Sequence, residues 1–180
     1  AATTQLAILS GWKWTGSSSD VTTWLSTGNL NPNLTTQAGV NGSTSGWGVD
    51  NNNFDTNEIF RIDFTDFDPF DTFTTPPSFN GPYVNYTTVQ LSNQFGGDDT
   101  IAYVTHYTDG SIDSASGTVG NLAGADHMLT LGADGKFIDY VEFMVIDGSG
   151  KFDLVDVSTV TGYEDVGLTF NIALTDADGD

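Results

Sequence analysis

Oxygen-bearing side chains are concentrated in one stretch of the chain, residues 46–64, which reads GWGVDNNNFDTNEIFRIDF. The first half is almost entirely polar, and the second half alternates apolar and polar residues as a half-buried strand does. Calcium takes about six to eight oxygen ligands from carboxylates, amide carbonyls and the backbone. The stretch therefore predicts a calcium site with these ligands: Asp50, Asn51, Asn53, Asp55 and Glu58.

The alternative for this stretch is a polar turn in which Asn and Asp side chains bond their own backbone. Two carboxylates 4 Å apart repel each other by about 4 kcal/mol near a protein surface. Asp50, Asp55 and Glu58 would repel one another in such a turn. This repulsion favours a bound cation over an unliganded turn.

Further acidic residues stand in loops or at strand ends that could also hold calcium. Asp98 and Asp99 follow two glycines, which allow the backbone to approach a ligand closely; a plain solvated turn is the alternative. Asp109-Gly110 is also typical of a hairpin turn, and we favour the turn slightly there. The additional candidate metal ligands are Asp98, Asp99, Asp109, Asp113, Asp147 and Asp153.

Trp47 is the aromatic residue best placed for ligand binding, because Gly46 and Gly48 flank it immediately before the oxygen-rich stretch. An exposed ring beside a cation can supply contact area while the metal orients the ligand. A buried anchor for the loop is an equally good interpretation of this residue.

The sequence offers little support for catalysis, so we predict that the protein is not an enzyme. His106 and His127 accompany no serine elbow, and the chain contains no Cys to act as a nucleophile. His106 lies at an alternating position in the segment VTHYT, which predicts a surface or rim histidine. Carboxylate pairs carry no information, because among 24 acidic residues some pair always has a suitable spacing.

The net charge of the chain limits the classes of partner that it can bind. The 180 residues include 24 Asp or Glu and only 4 Lys or Arg, giving a net charge of −20. Such a chain has no general affinity for nucleic acid or anionic membrane, and it suits dissolved cations or a saline exterior. No signal peptide opens the chain and no apolar run reaches membrane-spanning length. We expect one domain over residues 1–180, cut from a longer polypeptide.

Short segments rich in Thr, Val and Phe, divided by Gly, Asn and Asp, predict an all-β fold, an antiparallel β-sandwich with calcium-stabilised loops. Residues 16–19 are predicted to form a loop, and residues 65–82, with four of the five prolines, are excluded from any central strand. The segments 137–146 and 152–160 are predicted to pair with each other. The predicted strands are residues 4–15, 59–64, 83–92, 100–108, 137–146, 152–160 and 167–174.

The segments GWGVDNNNFDTNEIFRIDF, YVTHYTDGS and FIDYVEFMVIDGSGKFDLVDVSTV together resemble the ligand-binding modules of giant bacterial RTX adhesins. The ending GLTFNIALTDADGD is similar to linkers in those proteins. The resemblance is to their calcium-dependent, lectin-like peptide-binding domain. It implies several calcium ions, export by a type I system and a pocket where one calcium receives a peptide carboxylate. The ligand-binding residues that it implies are Trp47, Gln94, Gly96, Gly97, Asp98 and Asp99.

These observations predict an extracellular, cell-surface adhesion module that uses calcium to hold the carboxyl end of a peptide or protein on another cell. A calcium-dependent carbohydrate lectin, with glycans as partners, is the first alternative. A calcium-stiffened spacer without a ligand is the second. The module is expected to be monomeric, with no nucleic-acid partner and no direct insertion into membrane.

Overall fold

The computed structural model describes residues 7–64, 84–92 and 94–159. The predicted strand 167–174 and the proline-rich stretch 65–82 lie outside the described residues. The ending GLTFNIALTDADGD, which resembles adhesin linkers, also lies outside the described residues. No helix within the described ranges has both the length and the apolar character needed to cross a membrane.

The described residues form a mostly antiparallel β structure, which confirms the all-β prediction. The strands are β1 (Ile8–Trp14), β2 (Thr35–Ala38), β3 (Val40–Ser43), β4 (Gly46–Val49), β5 (Phe54–Asp55), β6 (Glu58–Asp63), β7 (Val84–Leu91), β8 (Thr100–Tyr107), β9 (Ile112–Thr118), β10 (Met128–Gly132), β11 (Ile138–Asp147), β12 (Ser149–Gly150) and β13 (Phe152–Thr159). The helices are α1 (Ser18–Thr27) and α2 (Val119–Ala123), with a 3₁₀ turn at Pro32–Leu34.

The strands pair in two groups. The first group runs β2-β1-β6-β11-β8-β9, and the second runs β10-β7-β13-β4-β3. One residue pair, Ile138 with Val84, links the two groups into a nearly closed sheet. The all-β prediction thus holds without a clean division into two sandwich layers. β5 and β12 form a separate two-stranded sheet.

The core lies between the two groups, because the alternate residues of their strands that face inward are apolar. Phe60 of β6 and Phe143 of β11 meet Phe152 of β13, with ring centroids 5.3 and 4.3 Å from that of Phe152. All three rings are fully buried. Burying a phenylalanine ring contributes roughly 1.5–3 kcal/mol, so this contact is a large part of what holds the groups together.

The other face of the first group is buried as well, under helix α1. Trp24, in the middle of the helix, is 0% exposed and packs among Trp12, Trp14 and Met144. Of residues 16–19, predicted as a loop, the first two precede the helix and the last two belong to it. Ser17 caps the helix: it donates from its backbone N and its Oγ to the carboxylate of Asp20. Satisfying the first-turn groups in this way stabilises a helix start.

Two pairing predictions have different outcomes. The hairpin turn at Asp109-Gly110 is confirmed: it joins β8 to β9. The predicted pairing of segments 137–146 and 152–160 is wrong, because β11 pairs with β6 and β8 while β13 pairs with β7 and β4. The short turn between them sends the chain from one group to the other instead of folding it back as a hairpin.

Candidate functional site

The predicted calcium loop, residues 50–58, is tied to the turn after β11. Ser149 Oγ donates to Asp55 Oδ1, and the backbone of Ser149 and Gly150 pairs with that of Asp55 and Phe54. Thr56 Oγ1 donates to the carbonyl of Gly148 at 3.0 Å. We call residues 148–150 the Gly148 turn.

The predicted ligand loop, residues 94–99, also reaches the Gly148 turn. A Cβ added to Gly148 would lie 2.3 Å from Asp99 Cγ, and the backbone there has a φ of +115°. Both observations require glycine at this position. The ring of Phe95, 2% exposed, covers Gly150 in the same way. The structure therefore brings the two acidic loops, which are distant in sequence, to a common turn.

Glu58 is the most deeply buried carboxylate of this region, at 5% exposed. Its Oε2 accepts a hydrogen bond from the Asp55 backbone N at 2.8 Å. Burial raises the pKa of Glu58 to about 7, and the neighbouring Asp55 carboxylate adds to the shift, although the Asp55 N–H bond opposes it. The charge of Lys13, which lies opposite Glu58 on β1, also opposes the shift but acts less strongly than Asp55, so Glu58 lacks the positive partner in direct contact that a buried carboxylate normally requires.

The nearest basic side chain, Lys13, is engaged elsewhere. Its Nζ lies 2.5 Å from Asp50 Oδ2, and both side chains are about half exposed. Within the described ranges, no Lys, Arg or His nitrogen lies within 4.0 Å of a carboxylate oxygen of these four residues: Asp55, Glu58, Asp99 and Asp147. A bound cation is one way to compensate these carboxylates.

The other predicted ligands of the loop make local bonds. Asn51 Oδ1 accepts from the Asn53 backbone N, and its Nδ2 donates to Asp55 Oδ2 at 2.9 Å. Asp50 has a left-handed φ of 61°. These bonds are the ones expected of the polar-turn alternative, and the described residues contain no preformed cluster of three metal-ligating His, Asp or Glu side chains.

Asp98 and Asp99 both turn toward Gly96. Asp99 Oδ2 accepts from the Gly96 backbone N at 2.9 Å, and Asp98 Oδ1 lies 2.8 Å from where a Gly96 Cβ would stand. The carbonyl of Gly97 accepts from Gly120 N at the start of helix α2. Asp147 is exposed and pairs with Thr100, the residue after Asp99.

Asp109 and Asp113 lie far from this region. Asp109 follows the end of β8, whereas Asp99 precedes its start, and a strand of this length spans about 25 Å. Asp113, on β9, stands opposite Thr105, which is five residues along β8 from Thr100. Asp109 Oδ1 accepts from the backbone N and Oγ of Ser111, and these bonds lower the pKa of Asp109. This arrangement is the turn that the sequence favoured at Asp109.

A cleft of about 300 Å³ adjoins the ligand loop. The residues that line it are Ser45, Gln90, Ser92, Gln94 and Asp153. Gln94 belongs to the predicted ligand set and Asp153 to the predicted metal set, so the structure joins these two in one concave site. Trp47 does not line this cleft: it is half-buried and packs against the core, as the loop-anchor interpretation expects.

Sequence reasoning missed Lys151, which lies directly behind the wall of this cleft. The side chain is 7% exposed, and its Nζ donates to the hydroxyls of Ser43 and Ser45 at 2.9 and 3.0 Å. No carboxylate oxygen of the described chain lies within 4.0 Å of the Lys151 ammonium. In a chain with only four basic residues, its place beside an acidic loop is the signal that could have found it.

His106, predicted to be a surface or rim residue, is instead largely buried, with 12% of its side chain exposed. Its ring stacks on Tyr140 with centroids 4.0 Å apart, and its Nε2 lies 3.7 Å from Glu142 Oε2. Glu142 also accepts hydrogen bonds from the Arg61 guanidinium and from the indole Nε1 of Trp24. This cluster holds the helix α1 face of the first group together.

Comparison of the chain with models of protein families, with curated proteins and with solved structures finds no match. The resemblance to RTX adhesins therefore stays a prediction. The function is inferred from the site itself.

Proposed function

We propose that this domain is a calcium-dependent adhesion module that binds the carboxyl end of a peptide or protein on another cell. The observation that carries the proposal is the position of Gln94. This residue of the predicted ligand loop lines the cleft together with Asp153. Asp153 by itself would repel an anion, so loop and cleft offer a site for an extended anionic group only together with a bound cation.

Calcium would be held by Asp55, Asp99 and Asp147, which adjoin the Gly148 turn, and by Glu58, which is bonded to the backbone of Asp55. These side chains form no ready-made cluster in the described chain, so they would converge on the ion when it binds. When bound, calcium offsets the repulsion among carboxylates and offers an anion an electrophilic anchor. The chain's own residues contribute the shape of the cleft and its hydrogen-bonding groups.

Lys151 supports an anionic ligand. Its ammonium has three donors, and the hydroxyls of Ser43 and Ser45 occupy two of them. Ser45 lines the cleft, so the positive charge acts on a ligand from behind this hydroxyl. In a protein of net charge −20, one buried cation beside the cleft gives a bound carboxylate a local attraction that the rest of the surface lacks.

The proposal extends to the setting of the protein. We place the module outside the cell, as part of an RTX-type adhesin exported by type I secretion. The support is the strong acidity, which suits a calcium-rich or saline exterior, and the absence of Cys, which leaves metal as the available means of cross-linking loops.

The test compares peptides that end in a free carboxylate with their amides, by calorimetry in calcium and in EDTA. Bonds to charged groups are worth about 1.5–3 kcal/mol against about 1 for neutral ones, so acids should bind at least tenfold tighter, and only with calcium. Asp98→Asn and Asp99→Asn should each weaken binding. The matched control is Asp109→Asn, an exposed residue of the turn at the opposite end of β8 from Asp99.

Equal binding of acid and amide forms would reject the carboxylate mechanism. Binding of simple sugars that needs calcium, with no peptide binding, would establish the lectin alternative. Binding of neither peptides nor sugars would favour the alternative of a calcium-stiffened spacer.

A further inference from the structure

A second cleft, of about 310 Å³, is lined by no residue of the loops already described. It lies between the hairpin of β8 and β9 and the edge strand β10. Among the described strands, β9 pairs only with β8 and β10 only with β7, so the cleft occupies the gap where the two groups part. The residues that line it are Tyr103, Thr105, Tyr107, Asp113, Ser114, Thr130, Leu131 and Gly132.

Thr105 carries the observation that points to a ligand. The residue is 1% exposed, and its Oγ1 has no hydrogen-bond partner in the described chain. Leaving a buried hydroxyl unpaired costs about 1–3 kcal/mol. A valine in its place would fill the same volume without that cost, so a polar threonine at this position suits a function in binding rather than in packing.

Asp113 is held ready to accept further hydrogen bonds. Tyr107 donates its phenol hydrogen to Asp113 Oδ2 at 2.7 Å. Burial, together with this bond, raises the pKa of Tyr107, so the phenol stays protonated and continues to donate. A carboxylate has about four lone-pair sites, and the bond to Tyr107 occupies one of them. The carboxylate is thereby oriented without being saturated.

The ring of Tyr103, partly exposed, adds a flat apolar surface on the same strand face as Thr105 and Tyr107. It is supported from below by Phe143, whose ring centroid lies 6.3 Å away. The cleft thus combines a ring, a carboxylate and hydroxyl groups. Its volume is at the lower end of the roughly 300–1,000 Å³ of small-molecule sites.

The lining excludes other classes of ligand. Asp113 lines the cleft and would repel an anion, whereas Lys136 does not line it: its ammonium lies 4.7 Å from the centroid of the Tyr107 ring and donates to Ser111 Oγ. An apolar ligand would leave Thr105 without a partner and Asp113 with Tyr107 as its donor but no donor from the ligand. A neutral polyhydroxylated molecule satisfies all of these groups: its hydroxyls donate to Asp113 and pair with Thr105, and its C–H face packs on Tyr103.

We propose that this cleft binds one neutral saccharide unit through Tyr103, Thr105 and Asp113, without calcium. The site is separate from the carboxylate site and does not depend on it. A domain with both sites would contact a glycosylated surface at two places.

The test titrates the full chain with glucose, galactose, mannose and N-acetylglucosamine, following backbone amide and threonine methyl signals by NMR in EDTA and again in calcium. At least one sugar should shift the signals of Thr105 and its neighbours with the same affinity in both buffers. Mapping on the unmodified protein keeps the result independent of how any variant folds.

Variants then test the assigned groups. Thr105→Val and Asp113→Asn should each weaken sugar binding about tenfold, while Thr105→Val leaves the protein at least as stable as before, because it removes an unpaired hydroxyl. The matched controls are Thr22→Val on the exposed face of helix α1 and Asp153→Asn in the other cleft. Neither should affect the sugar. No binding in EDTA, shifts that map elsewhere, or unchanged affinity in both site variants would overturn the proposal.

Discussion

Two glutamates of the first strand group are buried almost equally, yet the pKa values of their carboxyl groups are shifted in opposite directions. Glu58 is 5% exposed and Glu142 is 1% exposed. Burial raises the pKa of Glu58 to about 7. Burial acts in the same sense on Glu142, but His106 and Arg61 overcome it and hold the pKa of Glu142 below its ordinary value.

The difference lies in the partners. Glu142 receives the Arg61 guanidinium and the Trp24 indole, so its charge is compensated within the protein. Glu58 receives one backbone N–H and faces another carboxylate, Asp55. Glu142 is part of a complete buried ion pair, whereas Glu58 is a buried carboxylate with no cation in direct contact. A metal-binding site without its metal has the second arrangement.

The largest expected loss of stability comes from removing the guanidinium of Arg61, which pairs with Glu142. Arg61→Met should lower the free energy of unfolding by about 3–5 kcal/mol, because it leaves the Glu142 carboxylate buried without its guanidinium. Urea denaturation provides the measurement. Adding Glu142→Gln to the same protein should recover part of the loss, since no bare charge then remains. A single-variant loss below about 1 kcal/mol would contradict this account of Glu142.

The second prediction concerns pH and Glu58 in calcium-free buffer. The pKa of Glu58 is raised from 4.5 to about 7 on folding, so between these values the unfolded chain ionises while the folded site stays protonated. The free energy of unfolding should therefore fall as pH rises from 4.5 to 7, and level off above. One pKa unit corresponds to about 1.4 kcal/mol, and solvent screens part of it, so the expected loss is on the order of 2 kcal/mol.

Comparison with Glu58→Gln isolates this contribution from the other carboxylates. The difference between the two proteins should change across that pH window and stay constant outside it. A constant difference from pH 4 to pH 8 would mean that folding does not shift the pKa of Glu58.

The third prediction concerns calcium. Each independent site adds about 1.4 kcal/mol to the free energy of unfolding when calcium is at ten times its dissociation constant. EDTA should therefore lower the melting temperature, and the double variant Glu58→Gln, Asp55→Asn should bind fewer ions in a calorimetric titration. Identical melting curves in calcium and EDTA would exclude the metal, and unchanged stoichiometry would assign the loop to the polar turn.

The smallest change in stability is expected from breaking the exposed ion pair of Lys13 and Asp50. Lys13→Met should leave the free energy of unfolding nearly unchanged, because Lys13 and Asp50 are about half exposed and solvent screens their attraction. Any effect should disappear at 1 M salt, where the Debye length is about 3 Å. Urea midpoints at low and high salt measure it. A large loss at both salt concentrations would indicate that Lys13 compensates Glu58 as well as Asp50.

Helix α1 shows a signal that was present in the sequence and went unused. Ser17 and Asp20 have the spacing of a capping box, and Gly28 takes the left-handed conformation that commonly ends a helix. The helix contains only one fully buried apolar residue, Trp24, so its hydrophobic periodicity is weak. Terminal signals, rather than periodicity, would have located it.

The sequence by itself determined the fold class, the position of most long strands and the acidic loop at residues 50–58. These depend on local alternation and on residue types in one stretch of chain, which are readable without knowing any partner. The turn preference at Asp109 belongs to the same kind of information, because an Asp side chain bonds backbone groups only a few residues away.

Only the tertiary structure decided which distant residues meet. It placed both Asp99 and Thr56 against Gly148, brought Lys151 behind the cleft wall, and sent β11 and β13 into different strand groups. It also gave Glu58 and Glu142 opposite electrostatic environments, although both are glutamates in alternating strands. The physical reason is that pairing register and burial arise from contacts between segments far apart in the chain, and no local pattern encodes them.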